Sequence, residues 1–339
     1  MRSSAIRIGI MALALSAMWG CRGQSDQPQV EFTIPPGASF AEVTDTLVAR
    51  DLVAHPLPFR LLARARGDDR SVRAGRYKVS GDIEWQTLLT HLVEGRVETV
   101  PLTIPEGFTL AQMVPRLAAV LELDPEEVRE QLEEYAQDEE RWDVPGPGLE
   151  GYLFPDTYHF APGSSLSAVV KAMTNQYLSF WTPERVARAE ELEMSRKEVT
   201  TLASIIQAEA RRGDEMPRIS GVFHNRLRIG YLLQADPTVQ YALGERRSRL
   251  LYADIEAVAD HPYNTYTQPG LPPGPIGAPG EDALHAALNP EETDFLYFVA
   301  RPDGSHIFTR TLAEHNRARV EARRLWTEAQ QRLNGGPDD

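Results

Sequence analysis

Cysteine and lysine are the scarcest chemically reactive residues in this chain of 339 amino acids. The single cysteine, Cys21, excludes a disulfide bond within the chain. The three lysines, Lys78, Lys171 and Lys197, lie outside the motifs described below, which argues against a pyridoxal-phosphate lyase acting through a Schiff base. The eight histidines lack the paired spacing of metal ligands, so we expect neither a metal nor another cofactor.

Basic residues are also fewer than acidic residues. The chain has 35 lysines and arginines against 49 aspartates and glutamates, a formal net charge of −14. Nucleic-acid binding requires phosphate neutralisation by basic side chains, so we expect no nucleic-acid partner. With 42% hydrophobic and 25% charged residues, the composition is that of a globular protein, and the length allows two domains.

The apolar run at the N-terminus is too short to cross a bilayer comfortably. It covers residues 8–19, whereas a spanning helix needs about 20 apolar residues. Because Arg2 and Arg7 precede it, the pattern is typical of a signal peptide. The run ends at Gly20 and Cys21, an arrangement at which bacterial lipoproteins are cleaved and acylated. We therefore interpret residues 1–21 as a signal peptide or membrane anchor with Cys21 as a lipidation candidate. The alternative is an uncleaved anchor in which Cys21 is incidental.

A repeated segment divides the remaining chain. Residues 32–43 (FTIPPGASFAEV) match residues 102–113 (LTIPEGFTLAQM), and each copy predicts a strand, a turn and a helix opened by a capping box. We predict an α+β fold, with a linker at residues 22–29 and a small domain at residues 30–100. A larger domain follows at residues 101–332, and residues 333–339 form a polar tail. Within these domains we predict helices at residues 39–52 and 281–288, and a hairpin with strands at residues 295–300 and 306–309. The strand–helix–helix–strand order of the small domain resembles the LysM peptidoglycan-binding module.

One carboxylate stands out in the segment 201–210 (TLASIIQAEA). At helical spacing, Thr200 and Ser204 fall on a polar side, whereas Glu209 falls with Leu202 and Ile206 on the apolar side. Burial disfavours the charged form, so the pKa of Glu209 should rise, as a general acid requires. The alternative is a glutamate at the edge of the apolar stripe whose carboxyl reaches water.

Two later segments combine hydrogen-bonding and aromatic residues. Residues 234–238 (QADPT) place Gln234 and Thr238 around Asp236, which we predict to be a helix N-cap before a proline. Residues 263–266 (YNTY) precede the segment 269–280, in which nine of twelve residues are proline or glycine. Such a rigid loop suits one wall of a sugar-binding groove, and the alternative is a structural Ω-like connection. Farther upstream, Glu150 lies among aromatic residues in the segment 149–158 (LEGYLFPDTY).

These segments together resemble the YceG-like (MltG) family of endolytic murein transglycosylases. The resemblance rests on residues 149–158, 202–209 (LASIIQAE), 222–227 (VFHNRL), 234–238, 263–266, 270–274 (GLPPG) and 311–316 (TLAEHN). It implies a YceG-like α+β catalytic domain behind a LysM-like domain, with Glu209 as the catalytic acid. The family often has a second glutamate two positions earlier, where this chain has Gln207. As substrate-binding candidates we select Glu150, Asn225, Gln234, Asp236, Thr238, Tyr263, Asn264 and Tyr266.

The implied reaction is cleavage of the bond between N-acetylmuramic acid and N-acetylglucosamine within nascent glycan strands, leaving 1,6-anhydro ends. The implied partners are peptidoglycan strands, the membrane through the N-terminus and cell-wall synthases. The implied location is the bacterial cell membrane, with the catalytic domain on its extracytoplasmic side. Two alternatives remain, a glycoside hydrolase using Glu209 with Asp236 or Glu150, and a glycan-binding scaffold without activity.

Overall fold

The computed structural model describes residues 28–146, 148–245, 247 and 250–334. The predicted signal peptide with Cys21, and the last five residues of the predicted polar tail, lie outside these ranges. The chain forms two compact units, one ending at Glu98 and the other starting at Thr99. No helix in the described ranges combines the length and the apolar character needed to cross a membrane.

The first unit is built on one antiparallel strand pair. Strands β1 (Gln29–Ile34) and β2 (Gly75–Ser80) pair so that Phe32 lies opposite Tyr77. The helices are α1 (Phe40–Ala49), α2 (Pro56–Arg66) and α3 (Trp85–Glu94), with a 3₁₀ turn at Asp68–Arg70. Apolar side chains from all five elements form its core, among them Phe32, Leu47, Phe59, Tyr77 and Leu88. The predicted order of strands and helices is confirmed.

Both copies of the repeated segment contain the predicted capping box. Ser39 accepts a hydrogen bond from the Glu42 N–H at the start of α1, and the Glu42 carboxylate accepts from the Ser39 N–H. Thr109 and Gln112 form the same arrangement in the second unit. The first helix ends three residues before the predicted residue 52, because Asp51 takes a left-handed conformation (φ 58°).

The second unit is mainly helical, with two small antiparallel sheets. Strand β3 (Val100–Thr103) pairs with β4 (Thr157–Phe160), and β5 (Tyr297–Ala300) pairs with β6 (His306–Thr309) in the predicted hairpin. Its helices are α4 (Leu110–Leu121), α5 (Pro125–Tyr135), α6 (Glu139–Trp142), α7 (Leu166–Phe180), α8 (Pro183–Glu191), α9 (Arg196–Glu209), α10 (Met216–Arg228), α11 (Asp236–Leu243), α12 (Tyr252–Ala257), α13 (Glu281–Leu288) and α14 (Leu312–Asn334), with a 3₁₀ turn at Gly213–Glu215. The α+β prediction is confirmed.

Helix α9 lies at the centre of this unit, packed against α8, α10, α11 and α13. Residues 199–206 are all buried, so the side of α9 that carries Thr200 and Ser204 lies in the core as well as the apolar side. Its polar side chains are buried with their hydrogen bonds made: the Thr200 hydroxyl lies 2.9 Å from that of Tyr177, and the Ser204 Oγ accepts from the Ile276 N–H. Internal hydrogen bonds remove the main cost of burying such groups, so α9 is a core helix with a reactive end.

Candidate active site

Glu209 is the last residue of α9, with Ala210 as the C-cap. Its side chain keeps partial access to solvent, although protein atoms crowd the carboxyl. Burial, followed by the negative charge of Asp236, raises the pKa of Glu209 to about 8. Arg226 and the backbone N–H of Asp236 act in the opposite direction. The negative end of a helix also disfavours a carboxylate, so a neutral carboxylic acid is the physically expected form at pH 7.

Asp236 lies beside Glu209 and begins helix α11. Ala235 is the N-cap, so the predicted N-cap was placed one residue too late in the chain. The turn before the helix is held by the 263–266 loop, because the Gln234 N–H donates to Thr265 O and the Ala235 N–H to Thr265 Oγ1, both at 3.0 Å. The Asp236 side chain is exposed, and its Oδ1 accepts a hydrogen bond from the Tyr266 hydroxyl. A carboxylate in the first turn of a helix is stabilised as an anion by the helix dipole.

Arg226, on α10, acts on Glu209 from within the core and was not among the sequence-predicted site residues. It is only 6% exposed, yet its charge is held by backbone carbonyls: Nε donates to Leu296 O (2.7 Å) and Nη1 to Leu233 O (2.5 Å). The guanidinium also lies 5.4 Å from the ring centres of Tyr231 and Tyr297. Burial lowers the pKa of Arg226 below its ordinary range. The sequence contains one signal for this position. Arg226 follows Val222 and Phe223 at helical spacing, which predicts that it lies on the same side of the helix as these two apolar residues.

Three of the predicted substrate-binding side chains are buried and already engaged. Asn225 donates to the Thr293 and Phe295 carbonyls at 2.7 and 3.0 Å, and Asn264 donates to the Ile255 and Val258 carbonyls at 2.9 and 3.0 Å. Thr238 donates to Ala235 O at 2.8 Å. These three side chains therefore hold loops in place, although Asn225 also lines the cavity described below, and their role in substrate binding stays a prediction. Polar residues in a buried loop serve this purpose because its backbone groups need partners.

Gln234 remains as the polar candidate whose side chain is not engaged. It is half-buried, and its side chain forms no hydrogen bond within the described part of the chain. Its backbone takes a left-handed conformation (φ 48°), and its N–H donates to Thr265 O at 3.0 Å. Non-glycine residues in this conformation cluster at functional sites, where the surrounding structure enforces them. Gln234 therefore stays a predicted substrate-binding residue.

Glu150 forms a second acidic site with two tyrosines. It accepts hydrogen bonds from the Leu110 N–H at 3.1 and 3.3 Å and from the Tyr241 hydroxyl at 3.4 Å. Tyr241 packs against Tyr263 with their ring centres 4.8 Å apart. Burial raises the pKa of Glu150 to about 7. Since Glu150 caps the first turn of α4, its contacts already explain why a glutamate lies among aromatic residues.

The proline- and glycine-rich segment divides into two parts. Residues 274–280 are buried, and Ala278 exchanges backbone hydrogen bonds with Gly107 and Phe108 at 2.7 and 2.8 Å. Gln207 accepts the Gly280 N–H at 3.0 Å, so it fixes this loop from the α9 side. The earlier part, Pro269 to Pro273, lines a cavity of about 1270 Å³ that also includes Ser195 and Glu198. That cavity lies at the start of α9, about 16 Å along the helix from Glu209.

Comparison with known proteins gives these residues a family context. The YceG-like family profile matches residues 32–321. The chain therefore belongs to the YceG-like family. A crystal structure of a yceG-like protein from Listeria monocytogenes is 32% identical with a TM-score of 0.59, covering 86% of this chain and 99% of that one. Within the described ranges, no three His, Cys, Asp or Glu residues are grouped as a metal site would require.

Two similar proteins have names that state a function. A Bacillus subtilis (strain 168) protein named endolytic murein transglycosylase is 35% identical over 308 residues, which are 86% of this chain and 84% of the relative. A Streptococcus pneumoniae (serotype 2, strain D39) protein with the same name is 29% identical over 314 residues, 84% of this chain. The match spans 56% of the length of that pneumococcal relative.

Proposed function

We propose that this protein is an endolytic murein transglycosylase that cleaves peptidoglycan glycan strands, with Glu209 as its catalytic acid. The observation that carries the proposal is the carboxyl at the end of α9, whose pKa burial raises to about 8 while the residue stays partly exposed to solvent. Family membership and the names of the relatives support the same substrate.

The reaction needs one acid and no activated water. Glu209 donates its proton to the glycosidic oxygen between N-acetylmuramic acid and N-acetylglucosamine as the bond to the anomeric carbon breaks. The C6 hydroxyl of the muramic residue then attacks that carbon, which closes a 1,6-anhydro ring, and its proton returns to Glu209. Because the nucleophile is tethered to the substrate, the step gains an intramolecular advantage. A pKa of about 8 lets the same group serve as acid and then as base near neutral pH.

A two-carboxylate glycoside hydrolase is the second candidate, because Asp236 lies beside Glu209 and interacts with it electrostatically. In that mechanism Asp236 would activate a water molecule or act as the nucleophile. Glu150 is a weaker second carboxylate, since its hydrogen bonds are made to Leu110 and Tyr241. The products separate the two mechanisms, because hydrolysis leaves reducing ends and the lytic reaction leaves anhydro ends.

The decisive experiment is mass spectrometry of the glycan ends after incubation with peptidoglycan strands. We expect anhydro ends with the wild type and none with Glu209→Gln, which keeps the size of the side chain but cannot donate the proton. Glu133→Gln, on the exposed side of α5, is the matched control. Reducing ends would establish hydrolysis instead. If Glu209→Gln retains both glycan binding and cellular function, the protein is a scaffold.

The organisation of the whole protein belongs to the same proposal. Residues 1–21 would attach the protein to the cell membrane, either through acylated Cys21 or as an uncleaved anchor, with the catalytic unit on the extracytoplasmic side. The first unit would bind glycan as a LysM-like module, which its β1–α1–α2–β2 order supports. Cell-wall synthases would supply the nascent strands and act as partners.

A further inference from the structure

We propose that Tyr266 and Arg226 are positioning residues for Glu209. Tyr266 holds the Asp236 carboxylate beside the Glu209 carboxyl, and Arg226 places a buried positive charge near the same Glu209 carboxyl. This inference rests on the proposed function of Glu209 as the catalytic acid, and it assigns Asp236 and Tyr266 a role different from direct glycan binding. The two charges act on Glu209 in opposite directions, so together they set how readily it gives up its proton.

The position of Asp236 depends on Tyr266. The Asp236 side chain is exposed, and an exposed aspartate is free to rotate toward water. Its hydrogen bond from the Tyr266 hydroxyl prevents this rotation. Tyr266 is itself held in place, because Asn264 Oδ1 accepts the Tyr266 N–H at 3.0 Å and the neighbouring Thr265 hydroxyl accepts the Ala235 N–H at 3.0 Å. The 263–266 loop is thus a rigid support for one carboxylate.

Glu209 and Asp236 lie at helix ends of opposite polarity. Glu209 ends α9, where the helix dipole opposes a negative charge, and Asp236 begins α11, where the dipole favours one. The end of α9 therefore adds to the burial that keeps the proton on Glu209 before the reaction.

Arg226 acts after the proton has been donated. Its guanidinium is fixed by the Leu296 and Leu233 carbonyls, and it forms no ion pair with a carboxylate among the described residues. Once Glu209 has become a carboxylate, the Arg226 charge stabilises it until the proton returns from the sugar hydroxyl. A buried charge without an ion-pair partner is costly, so a functional site is a physical reason for its presence.

The charged and titratable groups around Glu209 come from different elements. Arg226 acts on it from α10, Asp236 from α11, and Tyr266 from the loop that follows α12. Helices α8 and α13 also pack against α9. We therefore expect changes in the proton affinity of Glu209 in the variants below to come mainly from these three groups.

The test compares pH profiles of glycan cleavage for three variants with that of the wild type. We expect Tyr266→Phe and Asp236→Asn to move the alkaline limb of kcat to lower pH, Asp236→Asn by about one pH unit, with KM changed less than twofold. Arg226→Lys keeps the charge but not the two fixed donors, so the limb should move to higher pH. Tyr252→Phe, at a side chain that is 87% exposed, is the control and should leave the profile unchanged.

A second measurement does not depend on activity. Titration of the Glu209 side-chain carboxyl by ¹³C NMR, with the full-length protein and no substrate, should show the same directions of change. If the wild type cleaves no glycan, the proposed function fails, but the NMR titrations still decide the positioning roles. If Tyr266→Phe and Asp236→Asn raise KM and leave both the pH limb and the carboxyl titration unchanged, the two residues bind substrate and the inference is wrong.

Discussion

Replacing Glu209 with glutamine should make the protein more stable while it abolishes cleavage. Glu209 has a pKa of about 8 in the folded protein and an ordinary value of 4.5. Between these values the unfolded chain releases the proton and the folded protein retains it, so the stability of the wild type falls as the pH rises. The integrated cost is ~3 kcal/mol at pH 7 and ~5 kcal/mol above pH 8. Because the side chain is partly open to water, we expect a smaller gain for Glu209→Gln, at least ~1 kcal/mol at pH 7.

Urea denaturation at pH 4, 7 and 8.5 measures this difference directly. The variant and the wild type should have nearly equal stability at pH 4, where the carboxyl is protonated in both states. The gain of the variant should then increase with pH and level off above pH 8. The exposed control Glu133→Gln should show no such trend. A variant that is less stable than the wild type at pH 7, or a difference independent of pH, would refute the argument that burial keeps Glu209 protonated.

Five further outcomes are expected. Cleavage should be constant below pH 8 and decline about tenfold per pH unit above it, as the acid form of Glu209 is lost, which a kcat profile measures. Gln234→Ala should raise KM without loss of stability, whereas Asn264→Ala should lower the free energy of unfolding by ~2 kcal/mol, because buried carbonyls lose their donor. Residues 99–339 alone should fold and still release anhydro ends, and a folded but inactive fragment would implicate the first unit in catalysis. Cys21→Ser should abolish labelling by a fatty-acid analogue, and an unlabelled wild type would indicate an uncleaved anchor.

Local sequence signals predicted those elements whose ends are made by neighbouring residues. Both capping boxes, the helix α13 and the β5–β6 hairpin were found where the sequence placed them, because each depends on a few adjacent side chains. The β3 strand, which the second copy of the repeated segment predicts, pairs with β4 more than fifty residues later. No local signal indicates that partner.

By itself, the sequence determined the family, the α+β class and Glu209 as the candidate acid, because these depend on residue identity, spacing and order. Tertiary structure decided which polar side chains remain available. The Asn264 side chain holds a loop, whereas the Gln234 side chain forms no hydrogen bond with the residues that the structure describes. The tertiary structure also brought Arg226 and Asp236 to Glu209 from two other helices. Their effect on the acid depends on distance and burial, and neither quantity can be obtained from positions along the chain.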